Sequence, residues 1–520
     1  MNSYRKSLSI PVVFCEDDAY ATACAARAMS AARSAQTRWA QRPVKQRLGF
    51  LRELRRLIVE NARELAAASA IERSRPVVES LTAEVLPLAE ACRFLERNAE
   101  KILGLRRLGR KQRPLWLAGV RSEILREPFG VVLIIGPGNY PLFLPGVQVL
   151  QALAAGNAVV LKPGVGGSAP ARALLNLIVR AGFPAELVYL LPEAPEAARA
   201  AILAGPDKVL FTGSAATGQR ILAQLAPQLI PATMELSGCD AVIVRADADL
   251  NLVTRALAFG LRLNDGATCI SPKRVFVARS VATELEGRLS HRLNGDANRG
   301  WQVRTPTAPV QALGTLSAAE RLHPLLEEAL AAGAHFIAGD IRGDGSIDLP
   351  VVLAGVSPRA RLLREDVFAP VLAIVTVADD HEALLRANDC PFALAATVFT
   401  RDEIVGRALA SSINAGVVTI NDLILPTADP RLPFGGHKHS GFGVTRGAEG
   451  LLELTRPKVL TISRSRFRPA FDAPGAGDEA LFEGYLNLTQ GHGFKSRCRS
   501  LLSLLRTLFA RAKSSQFRKS

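Results

Sequence analysis

Cysteine is sparse in this chain: seven in 520 residues, an odd number, with no Cys-x-x-Cys pair. That excludes a disulfide framework and a paired-cysteine zinc module, and it suits a reducing cytosol. Histidine is equally scarce, and the one close pair, His437-x-His439, has no acidic or cysteine neighbour, so no metal site is expected. Aromatic residues make up only 6% and do not interleave with the basic ones, which leaves no reading surface for nucleic acid. The first residues lack the apolar core of a secretory leader. Acidic residues are absent altogether from the last 26 positions.

What is present describes an ordinary globular protein. Apolar residues reach 48%, charged residues 22%, with 41 glycines and 31 prolines, values that exclude global disorder and collagen. At roughly 150 residues per domain the length predicts two to four units. The net charge of +16 is unevenly spread, since Lys495, Arg497, Arg499, Arg506, Arg511, Lys513, Arg518 and Lys519 supply half of it. Within that tail Leu501, Leu505, Leu508 and Ala512 recur at helical spacing beside Leu502 and Phe509. The apolar stretch is too short and too interrupted to span a bilayer, so the pattern reads as an interfacial helix or as one docked on a partner.

From Asp17 to about Arg113 apolar positions repeat every three and four residues, which predicts packed helices. Leu115 to Arg126 carries short alternation. After Pro128 the texture changes to GVVLIIGPGNYP, AVVLKP, LVYLLPE and KVLFTGS, compact β-branched runs with helical segments such as Ala169 to Arg180 and Thr217 to Gln228 between them. This alternation predicts a doubly wound parallel sheet that binds ligands beyond its strand C-termini. DAVIVRA, KRVFVA and PVLAIVTV predict a second α/β domain, RPKVLTIS one further strand, and Pro474 to Gly477 the start of a linker.

Four stretches hold chemistry-bearing residues. In FTGSAATG, Phe211 and Thr212 end a strand and Gly213, Ser214 and Gly218 open a helix, whose free N–H groups suit a pyrophosphate; Lys162, ending AVVLKP, could bond ribose hydroxyls. Cys269 lies in a small polar turn, NDGATCISPKR, and Glu235 between Met and Leu should be desolvated, its pKa raised. Asn139 in GPGNYP offers a carboxamide donor at a strand end. REDVFAPV sets Asp366 and Phe368 two residues apart, an acceptor and a ring on one strand face. Taken singly, each has an ordinary structural role. Together with PFGGHKHSGFG at 433 to 443, and with Glu235 and Cys269 34 residues apart, their order and spacing resemble the aldehyde dehydrogenase superfamily over about residues 17 to 463.

The resemblance implies an aldehyde dehydrogenase-like α/β fold: two doubly wound domains, a small β oligomerisation element and a basic C-terminal tail. The expected segments are 1–114 (helical part of the cofactor domain), 115–127 (oligomerisation strands) and 128–235 (Rossmann-like NAD(P) domain). They continue as 236–440 (catalytic domain), 441–463 (return segment and oligomerisation strand) and 464–520 (linker and tail). It implies Cys269 as nucleophile, Asn139 and the Cys269 N–H around the oxyanion, and Glu235 as the base for thioester hydrolysis. Lys162, Phe211, Thr212, Gly213, Ser214, Gly218, Asp366 and Phe368 then surround NAD or NADP.

Departures from the family pattern are Ala267 in GATC, Gly138 before Asn139, Ser237 and Cys239 in ELSGCD, and Asp366 for a glutamate. Val165 stands where NAD-preferring relatives often carry a glutamate, which opens the site to a 2′-phosphate. Leu423, Ile424 and Leu425 are candidates for an apolar entrance, which with the tail suggests a long-chain or lipid-derived aldehyde. The expected partners are the aldehyde, copies of the chain in a homodimer or homotetramer, and an anionic membrane surface; the expected location is cytoplasmic, peripheral to a membrane. Coenzyme A as acyl acceptor, and a silent membrane-associated binding protein, are the alternatives.

Overall fold

The computed structural model describes residues 18–71, 73–295, 318–464, 471, 473, 475 and 477–517. The chain divides into two compact units, Met1–Arg106 with Ile124–Lys458, and Arg107–Glu123 with Val459–Ser520.

The larger unit is built on two sheets. Runs such as VVLII, AVVLK and KVLFT are apolar on both faces, the signature of strands covered by helices on each side. The first sheet orders Gly441–Phe442, Ala232–Glu235, Lys208–Thr212, Val131–Ile135, Ala158–Lys162 and Val188–Leu190, parallel apart from the first. From Val131–Ile135 the chain winds outward one way through the 158 and 188 strands, then returns through the 208 and 232 strands on the other side. The switch point therefore lies between Ile135 and Phe211, paired in register, with the GPGN and GSAA turns just beyond their C-termini.

The second sheet orders His335–Ile341, Ile347–Ala354, Val371–Val377, Pro272–Ala278, Asp240–Val244, Ala395–Phe399 and Val417–Ile420. Only the His335–Ile341 pairing is antiparallel. Strand alternation sorts its two faces into separate cores: Ala241, Ile243 and Phe276 enter one, Val242, Val244, Val275 and Val277 the other. Four of its strands escaped the sequence reading. His335–Ile341 is broken by Gly339, Ile347–Ala354 contains Pro350, and the other two are only four and five residues long.

Helices Asp18–Ala40, Val44–Glu60, Ala62–Ile71 and Leu86–Ile102 form as expected and share one core with the first sheet, the first lying on its strands and the others on its covering helices, but helix stops at Ile102 rather than near Arg113. A π-helical turn at Leu81–Val85 turns Glu84 fully inward. There it pairs with buried Arg75, and its Oε2 accepts from the N–H groups of Leu142 (2.7 Å) and Phe143 (3.0 Å). Arg75 in turn reaches the Asn139 carbonyl oxygen and Asn264 Oδ1, each at 3.4 Å. A buried ion pair from the helical segment thus supports two loops that the sequence reading assigned to chemistry.

A third sheet sets Val120–Pro128 between Arg106–Arg107 and Thr455–Ser463. Its central strand begins five residues later than the alternation from Leu115 suggested, because Leu115–Leu117 form a 3-10 turn and Gly119 follows at φ 95°. In the smaller unit, Asp478–Gln490 is helical where a linker leading to the tail was expected, and a second helix spans Phe494–Phe517. The two pack with Leu481 and Leu504 buried and Gly484 against Leu504. Leu501, Leu502 and Leu505 remain 45%, 59% and 43% exposed. Of the expected tail, Arg518 and Lys519, and of the expected linker Pro474, lie outside the described residues. No helix among the described residues is long and apolar enough to cross a membrane.

Candidate active site

Cys269 follows a turn shaped by residues tolerant of left-handed backbone: Asn264, Asp265 and Gly266 have φ of 51°, 50° and 70°. Ala267 N–H closes the turn on the Asn264 carbonyl at 2.9 Å, so the turn forms with alanine in place of the family's glutamine. The Cys269 side chain is half-buried, and its backbone N–H makes no hydrogen bond among the described residues. Asn139 Nδ2 donates to the Ala267 carbonyl (3.1 Å), and Tyr140 Oη meets Thr268 Oγ1 at 2.6 Å. The GPGN loop is therefore fastened to the cysteine turn, and the Asn139 carboxamide keeps one N–H for a further acceptor.

Glu235 ends its strand 3% exposed. Its Oε2 accepts from Thr445 Oγ1 at 3.2 Å, while Oε1 is buried without a partner. Burial raises its pKa, against which the Arg446 cation and the Thr445 hydrogen bond act. The Cys269 thiol is pushed up by burial, then by Glu235 and Asp240. Glycine at 441 is required here, because the Gly441 backbone, at φ 105°, pairs with Glu235 so closely that a Cβ would lie 1.9 Å from the Met234 oxygen. PFGGHKHSGFG thus acts as a clamp on the glutamate strand, completed by Ser440 Oγ donating to the Ser237 carbonyl at 2.6 Å.

Of the residues expected around a cofactor, Lys162, Phe211, Thr212, Gly213, Ser214 and Gly218 lie at the C-terminal ends of first-sheet strands or in the helix that follows. Phe211 and Thr212 end their strand, buried; Gly213 N–H donates to the Glu235 carbonyl at 3.1 Å. Ser214 caps the helix Ala215–Leu225 through Thr217 N–H, and Gly218 lets that helix approach Leu236. Lys162 is 8% exposed, its pKa lowered by burial and sustained by Glu193 and Glu196. Asp366 and Phe368 are half-buried but lie on an irregular loop, which corrects the expectation of a strand face: Ala369 N–H turns back to Val367 O, Val371 N–H to Ala369 O, and the strand starts only after Pro370. Burial raises the Asp366 pKa, countered by a hydrogen bond from Ser237.

Several contributors went unnoticed in the sequence. Lys273, four residues after the cysteine, is buried, and its Nζ donates to the carbonyls of Ala369 (2.6 Å) and Gly266 (3.3 Å), with its pKa drawn down to about 8 by burial. Arg73 occupies the space that Gly138 leaves: a Cβ there would lie 2.4 Å from Arg73 Nη2. Glu193 accepts from Gly166 N–H (2.8 Å) and Ser168 N–H (2.7 Å), so a carboxylate stands on the Val165 loop although Val165 itself carries none. Thr445 and Arg446 stand two and three residues after the end of the recognised glycine motif at Gly443, and that proximity was the available signal. Of the three residues expected at an apolar entrance, Leu423 is 5% exposed and lines a small pocket with Ile424 and Ile270, whereas Leu425 is exposed and does not line it.

A cysteine turn tied to a carboxamide, with a buried glutamate acting on the thiol, lies beyond the strand C-termini of a nucleotide-type sheet. Comparison with known proteins agrees: residues 12–460 match the aldehyde dehydrogenase family. The chain belongs to that family. It is 31% identical over 468 residues to the 4,4′-diapolycopene aldehyde oxidase of a Methylomonas species, spanning 89% of this chain and 86% of that protein. Betaine aldehyde dehydrogenase from Staphylococcus aureus, solved in complex with NAD+, is similar with a TM-score of 0.77 and 26% identity over 87% of this chain and 90% of that one. An NADP-dependent enzyme from E. coli is similar at 0.76 and 26%, covering 86% and 90%.

Proposed function

We propose that the protein oxidises an aldehyde to a carboxylic acid with NAD or NADP, Cys269 forming first a thiohemiacetal and then a thioester. The observation that carries this reading is the attachment of Asn139 to the turn of Cys269, with an unengaged Cys269 N–H beside it and the buried Glu235 acting on the thiol. The Cys269 thiolate attacks the carbonyl carbon; the oxygen that gains charge is received by the Asn139 carboxamide and the Cys269 N–H. A bound nicotinamide would supply the hydride acceptor. Glu235 then takes a proton from the water that attacks the thioester, and Cys269 is released with the carboxylate product. Retention of this base favours water over coenzyme A as the acyl acceptor, and the assembled trio favours catalysis over a silent binding role.

The cofactor residues fit a dinucleotide: the Ser214-capped helix Ala215–Leu225 begins just beyond the C-terminus of the Lys208–Thr212 strand, and Lys162 adds a buried cation at the end of the Ala158–Lys162 strand. Lys162 would meet the adenosine ribose, Gly213, Ser214 and Gly218 the pyrophosphate side, and Asp366 and Phe368 the nicotinamide ribose and ring. Either cofactor is accommodated in this reading, since Val165 removes one carboxylate and Glu193 contributes another. The deciding experiment is a series of aldehydes of increasing chain length with NAD and with NADP, followed by the absorbance of the reduced nicotinamide. Turnover with at least one pair is expected; none with any pair would overturn the reading, and a rise with chain length would mark the long-chain substrate class. Asn139→Ala should lower kcat by about 10²–10³-fold with a smaller change in KM.

Exposed Val459, Leu460 and Ile462 on the strand Thr455–Ser463 support its use in a homo-oligomer. Exposed Leu501, Leu502 and Leu505 among the basic residues of the last helix support contact with an anionic membrane surface. Deleting residues 491–520 should release the protein from anionic liposomes in a flotation assay. Unchanged binding would remove the membrane contact.

A further inference from the structure

Arg446 is a buried cation with an unusual environment. It is 6% exposed, and its backbone has φ 63°, a value that non-glycine residues rarely adopt. Its Nη1 donates to the Thr427 carbonyl, its guanidinium lies 4.2 Å over the Phe434 ring and 5.7 Å from that of Phe143, and its Nε is buried with no hydrogen-bond partner among the described residues. Among the described residues it forms no ion pair. An arginine stays charged at any physiological pH, and a buried unpaired charge is among the costliest groups a fold can hold.

Two contacts point to what balances it. Phe434, under the guanidinium, belongs with Ile270 and Leu394 to an apolar cluster against which Cys269 packs. Thr445, the residue before, donates to Glu235, and its backbone pairs with Phe434 in both directions at 2.8 Å. One turn therefore carries the cation, its aromatic support and the hydrogen bond to the glutamate.

Resting on the reading of Cys269 and Glu235 given above, we infer that Arg446 is the buried countercharge of that pair, the group that allows one full negative charge to be kept on the thiol or the carboxylate. When the proton leaves the Cys269 S–H bond for a Glu235 carboxylate oxygen, the pair's charge of minus one is unchanged, and Arg446 compensates it in either state. The groups acting on the thiol are consistent: Glu235, Asp240 and Asp366 oppose its ionisation, Tyr140 faces it as a neutral phenol, and Arg446 is the cation among them. Burial lowers the pKa of the guanidinium, and Glu235 and Cys269 are the groups that act against that lowering.

The test reads the thiol directly, without aldehyde or cofactor. The rate at which iodoacetamide alkylates Cys269 is followed by peptide mass against pH in the full-length protein, for wild type, Arg446→Gln and Arg446→Lys. Arg446→Gln should slow alkylation at neutral pH by about tenfold or more and move the midpoint upward, one pKa unit being a factor of ten in thiolate. Arg446→Lys, which keeps the charge, should recover most of the rate. A midpoint common to all three would overturn the inference, as would equal losses in the glutamine and lysine variants. Arg446→Met, which fills the space without charge, serves if the glutamine variant does not fold. Absence of aldehyde oxidation by wild type bears instead on the reaction assigned above, and the alkylation profile separates the two.

Discussion

Replacing Cys269 by serine should reduce aldehyde oxidation by at least about a thousandfold while the protein still melts cooperatively and binds its dinucleotide. The size follows from chemistry. A serine hydroxyl in this half-buried turn has no strong base fully aligned to it, and burial together with the Glu235 and Asp240 carboxylates opposes an anion there even for sulfur. The fold should tolerate the change because the turn is fixed by Asn264, Ala267 and Lys273, none of which uses the sulfur. Steady-state absorbance of reduced nicotinamide checks the rate, and thermal melting checks the fold. Retention of a tenth of wild-type activity in the serine variant would show that another group forms the bond to carbon.

Glu235→Gln should separate the two halves of the reaction. In the variant the Cys269 proton must pass to solvent instead of to Glu235, which slows acylation, whereas hydrolysis loses its base for water altogether. Rapid mixing should show a burst of reduced nicotinamide close to one equivalent per subunit, and then a steady state lower by about 10²–10⁴-fold, the usual span for loss of a general base. The pH dependence follows from the direction of the Glu235 shift. Burial raises its pKa above the ordinary carboxylate value, so base function is lost as pH falls through that raised value and regained as pH rises above it. Wild-type turnover should fall on this acid limb, and the glutamine variant should lack the limb. An unchanged steady state would move the base role to another residue, and conversion of the product to an acyl thioester only when coenzyme A is added would point to thiol acceptance instead.

Much of the first sheet was readable from residue order because its strands are buried on both faces and therefore continuous in β-branched residues. The second sheet was legible only where the same held, as in DAVIV, PKRVFVA and VLAIVTV. Strands interrupted by Gly339 or Pro350 carry no such mark, and their pairing is imposed by neighbours far away in the chain. Asn139, Glu235 and Cys269 were found through motif spacing; the structure ties the Asn139 carboxamide to the Cys269 turn and buries Glu235 at a strand end from which it acts on the thiol. The residues that hold the turn in place were not found. Glu84 lies in a helical stretch of ordinary composition, Lys273 looks like a strand residue, and Arg446 looks like a surface cation until the fold buries it. Burial of a charge is a property of the assembled chain, and no local pattern announces it.

The bond from Lys273 to the carbonyls of both Gly266 and Ala369 has a practical side. It splices the segment bearing the sulfur to the segment bearing Asp366 and Phe368, so the two behave as one mechanical part. Transplanting either segment alone from a relative, in an effort to retune which molecules are accepted, would tear that splice; cassettes exchanged together with position 273 would carry their own alignment with them.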